Sequence, residues 1–326
     1  MAYVEKGSFE RDMTYLPDRV LAGERSADPL DEEFPSGSKD SPLLSSGDVP
    51  VWPVEAGRYR LVAAKACPWA TRAIIVRSLL GIGDDVLSLG LPGPTHDERS
   101  WSFDLDAGGK DPVLGIERLQ QAYFARQPGY ERGITVPAIV EIESGQVVTN
   151  DFPQITHDLY FEWRDHTGDV PDLWPAEQRA EMEEVMRRVF TEVNNGVYRC
   201  GFAGTQDAYD DAYDRLWTAI DWLESRLSDG RSFLMGEALT EADVRLFTTL
   251  ARFDPVYHGH FKCNRQQLID LPHLWAYARR LYAIPAFRDA TDFEQIKQHY
   301  YIVQSDVNPT GVVPKGPDLS VWDEPV

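Results

Sequence analysis

The 326-residue chain has only three cysteines, Cys67, Cys200 and Cys263, and their odd number and wide spacing exclude a disulfide framework. That scarcity fits a reducing, cytoplasmic setting. No stretch approaches the roughly 18 uninterrupted apolar residues of a membrane helix, and the opening MAYVEKGSFERDMTYLPDRV lacks the apolar core of an export signal. A membrane is therefore not an expected partner. Positive charge is scarce too: 32 Lys and Arg stand against 53 Asp and Glu, a net charge of −21. Phosphate backbones need clustered cations, so nucleic acid and anionic lipid surfaces are disfavoured, and the acidity reads as a solvated surface. Nucleotide signatures are missing, since GGK at 108–110 lacks the spacing of a phosphate loop and GIGDD at 81–85 lacks the dinucleotide fingerprint. No intact Ser/His/Asp hydrolase pattern occurs. HGHFKC at 258–263 offers three ligand-type residues without a second Cys pair, so no metal is expected.

What is present divides the chain by texture. Residues 1–50 are rich in Asp, Glu, Ser, Pro and Gly with little periodicity, which reads as an extended arm. RYRLVAA at 58–64 has the pattern of a strand. Trp69, Ala73, Ile74, Val76, Leu79 and Leu80 then recur at helical spacing up to Gly81, and DDVLSLGL supplies a second strand. A long polar insertion, 92–133, contains one short helical pattern, VLGIERLQQAYFAR. ITVPAIVEIESGQVVTND reads as two strands turning at Ser144 and Gly145, and Asn150 or Asp151 can cap the helix that follows, with Pro153 tolerated in its first turn. The order β, α, β, connection, β, β, α makes a small domain over 51–168.

From 169 to 302 the sequence is helical almost throughout, with apolar stripes in EMEEVMRRVFTEV, YDDAYDRLWTAIDWLESRL and ADVRLFTTLARF. TEAD at 240–243 has the form of a capping box, with Thr240 and Asp243 satisfying each other's backbone amides. Residues 303–326 are irregular again.

The chemistry lies where the first strand meets the first helix. Cys67 precedes a helix whose first residue is Pro68, a position where unpaired amides and the helix dipole favour an anion. Such surroundings lower a thiol's pKa from about 8.5 toward neutrality and populate the nucleophilic thiolate. Ala70 occupies the place of a second cysteine, so disulfide chemistry here must pass through a mixed disulfide with an external thiol. A buried, inert cysteine is the competing reading. Downstream, Val136-Pro137 stands where a thioredoxin-like fold carries a cis proline, whose preceding residue offers its backbone to a bound thiol opposite the cysteine.

These residues, together with AGRYRL, ACPWATR, WSFD, TVPAIV, NNGVYRCGFA, LTEADVRLFTTLARFDPVY, GHFKCN, DFEQIKQHYY and NPTGVVPKGP, make the chain from about Val51 to Gly316 resemble the glutathionyl-hydroquinone reductases, the Xi class of glutathione transferases. The resemblance implies an α+β architecture, a thioredoxin-like N-terminal domain followed by an all-α glutathione-transferase-type domain, with the thiol and quinol held in the cleft between them. It implies a homodimer. It implies that Cys67 attacks the sulfur of an S-conjugated hydroquinone, and that Tyr198 and Tyr300 hold the hydroxyls of the aromatic substrate. Pro68, Trp69, Trp101, Val136, Pro137, Asp151 and Phe152 then line the thiol site. Tyr301, one residue on from Tyr300, points elsewhere on a helix. No cofactor is expected to be bound; a small-molecule thiol serves as co-substrate.

Two positions depart from the family pattern. Thr71 replaces a histidine one turn into the helix. Asp151-Phe152 replaces the Glu-Ser that grips the γ-glutamyl end of glutathione. Phe152 offers no hydroxyl to a carboxylate, a loss of roughly 1–3 kcal/mol. The co-substrate is therefore glutathione or another low-molecular-weight thiol such as mycothiol or γ-glutamylcysteine. Two rivals remain: a general thiol transferase of the glutaredoxin type, and a non-catalytic ligand-binding member of the same fold.

Overall fold

The computed structural model describes residues 2–5, 7–23 and 50–324. Two compact units emerge, one Asp12–Val170, the other joining Ala2–Arg11 to Pro171–Val326. Much of the expected N-terminal arm, residues 24–49, lies outside the described residues. Its described part carries strands β1 (Ala2–Glu5) and β2 (Ser8–Arg11), an antiparallel hairpin of the second unit, and β3 (Arg19–Leu21), which runs parallel to β4 (Val51–Pro53) in the first. The hairpin turns at Gly7, whose φ of +83° suits glycine alone, and a Cβ there would meet Thr205 Cγ2 at 2.8 Å.

The first unit is built on β5 (Tyr59–Val62), all four of whose residues are buried. A strand covered on both faces need not alternate, and its one charged residue, Arg60, is buried in an ion pair with Asp111 at 2.7 Å. Helix α1 (Pro68–Leu79) leads to β6 (Leu87–Gly90), parallel to β5. The short ladder β7 (His96–Asp97) and β8 (Ser100–Trp101) and helix α2 (Gln120–Arg126) fill the polar insertion. Then β9 (Ala138–Glu141) returns antiparallel on the other edge of β5, and β10 (Gln146–Thr149) closes the sheet in the order β10-β9-β5-β6. Gly145, at φ +65°, makes the turn between them. Helix α3 (Phe152–Phe161) starts from Asp151, whose side chain accepts from the Gln154 amide, and packs along α1. The thioredoxin-like order expected from the sequence is the one observed.

The second unit is built of helices, apart from its hairpin and the irregular stretch after Val303. Helix α4 (Arg179–Arg188) runs into a π-helical turn, Val189–Asn194, followed by α5 (Gly196–Gly201) and the long α6 (Gln206–Leu227). Helix α7 (Glu241–Arg252) is buried along its whole length and passes into a second π turn, Phe253–Tyr257. Helices α8 (Pro272–Tyr282), α9 (Pro285–Ala290) and α10 (Phe293–Gln298) follow, the last continuing as a third π turn, His299–Val303. The capping box is formed. Asp243 Oδ2 accepts from the Thr240 amide at 2.8 Å and its hydroxyl at 3.0 Å, while Oδ1 accepts from the Leu234 amide and the Tyr277 hydroxyl, both at 2.8 Å. Full burial nevertheless pushes the Asp243 carboxyl above the usual carboxylate range, because desolvation outweighs those hydrogen bonds. Among the described residues no helix is long and apolar enough to cross a membrane.

Candidate active site

Cys67 is the N-cap of α1, in an extended conformation at φ −87° and ψ 122°, with Pro68 as the first helical residue. The side chain is nine-tenths buried, and Sγ lies 3.6 Å from the Val136 carbonyl oxygen. The Val136-Pro137 peptide is cis, as the sequence pattern predicts. The bend that leads into β9 therefore delivers a backbone carbonyl to the cysteine while α1 begins at it. Thr71, where the family pattern has histidine, donates its hydroxyl and its amide to the Cys67 carbonyl, both at 2.9 Å. It anchors the first turn.

Beside the cysteine the two helix starts of this unit meet through aromatic rings. Trp69 and Phe152 have centroids 4.7 Å apart, Tyr15 stands edge-on to Phe152 at 5.6 Å, and the Arg72 guanidinium lies 4.6 Å from the Trp69 ring centre and 5.8 Å from that of Phe152. Arg72 is 1 % exposed, a cation held against π faces in a site largely closed to water. Sequence reasoning missed it, although an arginine three residues after Trp69, set among the apolar positions Ala73 and Ile74, was the available signal. Asp151, also buried, spends Oδ1 on the helix amide of Gln154. Trp101 sits in the β7–β8 ladder with its ring 4.9 Å from that of His96, whose imidazole burial holds below the usual histidine value.

The second unit gathers phenols. Tyr198 on α5 and Tyr300 in the third π turn have hydroxyl oxygens 2.6 Å apart, and Tyr257 in the second π turn closes on Tyr300 at 2.8 Å. Tyr257 was not singled out from the sequence. Burial pushes the Tyr257 and Tyr300 phenols well above their ordinary value of 10, so both stay protonated donors across the physiological range. Phe261 packs against all three rings at 5.4 to 5.7 Å. From the hairpin, Phe9 stacks on Tyr198 at 5.9 Å, and Arg11, bonded through Nε to Asn195 Oδ1 at 2.7 Å, lies 4.7 Å from the Tyr198 ring centre. Tyr301 is separate, its hydroxyl donating to the Pro255 carbonyl at 3.3 Å.

Cys200 and Cys263 are buried thiols, and burial pushes the Cys263 thiol well above its usual range. Among the described residues no three His, Cys, Asp or Glu side chains come together as a metal site.

Residues 206–280 match the family model described as the glutathione S-transferase C-terminal domain. The chain is 40 % identical to the glutathionyl-hydroquinone reductase PcpF of Sphingobium chlorophenolicum over 81 % of this chain and 84 % of that protein. Among solved structures it matches a glutathione transferase from Gordonia bronchialis with 66 % identity and a TM-score of 0.82, covering 84 % of this chain and 85 % of that one. It also matches the glutathione-bound form of YqjG from Escherichia coli, with 34 % identity and a TM-score of 0.79 over 84 % and 89 % of the two chains. A thioredoxin-like unit with its cysteine at a helix start, followed by this helical unit, has the fold of a glutathione transferase. Within that superfamily of enzymes the chain belongs to the glutathionyl-hydroquinone reductases, the Xi class.

Proposed function

We propose that the protein is a thiol-dependent reductase that removes a low-molecular-weight thiol from S-conjugated hydroquinones. The observation that carries the reading is Cys67 at the N-cap of α1 with Sγ 3.6 Å from the Val136 carbonyl, in a chain of this family. On this reading the dipole at the helix start draws the sulfur toward its thiolate form, against the Val136 carbonyl, which accepts from the thiol. That thiolate attacks the conjugate's sulfur, the S–S bond forms as the C–S bond breaks, and the electron pair passes to the ring carbon. A proton delivered to that carbon completes the free hydroquinone, and Tyr198 and Tyr300 hold its hydroxyls as neutral donors. A second thiolate then attacks the mixed disulfide and regenerates Cys67, so one conjugate and one thiol yield hydroquinone and one disulfide. The buried phenols favour an aromatic substrate over the general disulfides of a glutaredoxin. The reading includes a homodimer acting in the cytoplasm.

Glutathione is the first candidate for the thiol, because YqjG, which this chain resembles, is described in a glutathione-bound structure. A second reading, a different thiol such as mycothiol or γ-glutamylcysteine, is favoured by Phe152, which is 4 % exposed and fills its place against Trp69 with a ring. Turnover of S-glutathionyl-hydroquinone with glutathione, with mass spectrometry of the enzyme after one equivalent of conjugate, tests both. A 1:1 adduct on Cys67 and release of hydroquinone are expected. Full release by Cys67→Ala would remove the mechanism. Strong turnover with glutathione alone would remove the second reading.

A further inference from the structure

The chain beyond the third π turn comes back to the helix it has just left. After Val303 it runs irregularly, yet Asn308 Nδ2 donates to the Tyr301 carbonyl at 2.7 Å and to that of Val312 at 3.1 Å, fastening the first bend to the turn that carries Tyr300. Further on, the carbonyls of Lys315 and Gly316 accept from Lys297 Nζ at 2.9 and 3.0 Å. Lys297 is on α10, three residues before Tyr300, and only 8 % exposed. The segment ends in Trp322, whose ring lies 5.5 Å from Phe293, the first residue of α10, and within 4.9 to 5.3 Å of Trp275 and Tyr282. The returning strap thus touches α10 at its start, its last turn and its continuation.

An ammonium taken out of water needs its donors satisfied, and two backbone carbonyls do that without supplying a compensating carboxylate. Beside it opens a cavity of about 490 Å³ in which Lys297, Glu294 and Gln298 face Phe293, Ile302, Val313 and Leu319, so its stem lies against apolar side chains while its Nζ is spent on the two carbonyls. What a lysine adds is direction: it fixes the backbone of 315–316 against one side of one helical turn.

We propose that Lys297 is a positioning residue for Tyr300, fixing through its clasp on residues 315–316 the π turn that aims the phenol. The inference rests on the proposed role of Tyr300 in holding the hydroquinone. Lys297 touches no reacting atom; it acts by keeping the His299–Val303 turn in one register, so that the Tyr300 hydroxyl meets Tyr198 and Tyr257.

The test compares Lys297→Met, which keeps the stem and loses the donors, with Lys297→Arg, which restores them. Asn308→Ala loosens the same strap from its other end. Three readouts are taken on the full chain: hydroquinone-conjugate turnover, the rate of Cys67 alkylation by iodoacetamide, and amide exchange over 299–303. Lys297→Met is expected to lower kcat by about tenfold or more with KM little changed. It should speed exchange over 299–303 and leave Cys67 alkylation unaltered. Lys297→Arg should recover most of the kcat, and Asn308→Ala should move kcat and exchange the same way, less strongly. Unchanged exchange over 299–303 in Lys297→Met overturns the proposal whatever the activity. So does a parallel fall of turnover and alkylation, the mark of general destabilisation. If the parent enzyme has no conjugate turnover, the reading of Tyr300 fails, and the exchange result still decides whether Lys297 holds the turn.

Discussion

The hydroxyls of Tyr198 and Tyr300 lie 2.6 Å apart although 102 residues separate them in the chain, and Tyr257 extends the pair to a row of three. Because either oxygen of each pair can donate, the row can reverse its direction when a substrate hydroxyl joins it. Removing the central member breaks both links. Tyr300→Phe should lower hydroquinone turnover by about 10²-fold, the ordinary worth of a placed proton donor, and cost about 1–2 kcal/mol of stability by removing two buried hydrogen bonds. Tyr257→Phe should do less in turnover. Steady-state kinetics and urea unfolding check both.

The same burial sets a direction in pH. The Tyr257 and Tyr300 phenols are pushed above 10 in the fold, while those of the unfolded chain ionise near 10. A group with a raised folded pKa contributes stability that is whole below the unfolded value and falls away as pH rises beyond it. Urea midpoints should therefore hold steady from pH 7 to 9 and drop between about 10 and 12. Tyr257→Phe should flatten that drop. A midpoint in the Phe variant that falls as steeply as in the parent would show that the Tyr257 phenol is not its source.

Selectivity among the thiols follows from their burial. Cys67 is 9 % exposed at a helix start, whereas Cys263 is 0 % exposed with its thiol pushed up. Iodoacetamide on the native protein should label Cys67 first, and Cys200 and Cys263 only on unfolding. Peptide mass spectrometry at increasing urea reads this directly. Cys200→Ala and Cys263→Ala should retain turnover and lose stability instead, a few kcal/mol at most.

Much of this frame was legible beforehand because it rests on local rules. The Cys67-Pro68 junction, the Ser144-Gly145 turn and the Thr240/Asp243 box each lie within four residues of sequence, and each stands as expected. What escaped was long-range or irregular. Tyr257 reaches Tyr300 across 43 residues from inside a π turn, whose wider winding breaks the 3.6-residue period on which facing residues are inferred. Arg72 escaped because no local rule shows that Phe152, far along the chain, will join Trp69 beside its guanidinium. The hairpin strands β1 and β2, four residues each, are too short to register as a pattern, and they acquire meaning only when Phe9 meets Tyr198.

Phe152 allows stability and specificity to be separated. Its ring fills the space between Trp69 and Tyr15, so Phe152→Ser should destabilise the protein by on the order of 3 kcal/mol. The new hydroxyl restores a donor for a carboxylate, worth about tenfold in affinity. If Phe152 sets the thiol preference, the variant's KM for glutathione should fall even as its Tm drops. A KM that rises together with the loss of Tm would assign Phe152 to packing alone.

Gly201 tests the phenol row from behind. It ends α5, and a Cβ built on it would come within 2.2 to 2.3 Å of Phe261 Cδ1 and Cγ. The near edge of a buried ring cannot swing aside as the tip of a long side chain can, so Phe261 must translate, and its neighbours are Tyr198, Tyr257 and Tyr300. Gly201→Ala should therefore cost about 1–3 kcal/mol by overpacking, despite alanine's better helix propensity. It should also weaken hydroquinone turnover, while iodoacetamide labelling of Cys67 stays at the parent rate. Pairing it with Phe261→Leu, which vacates the ring's edge, should recover stability beyond the sum of the single changes. Strict additivity in that double mutant would mean that the strain is relieved somewhere other than at Phe261.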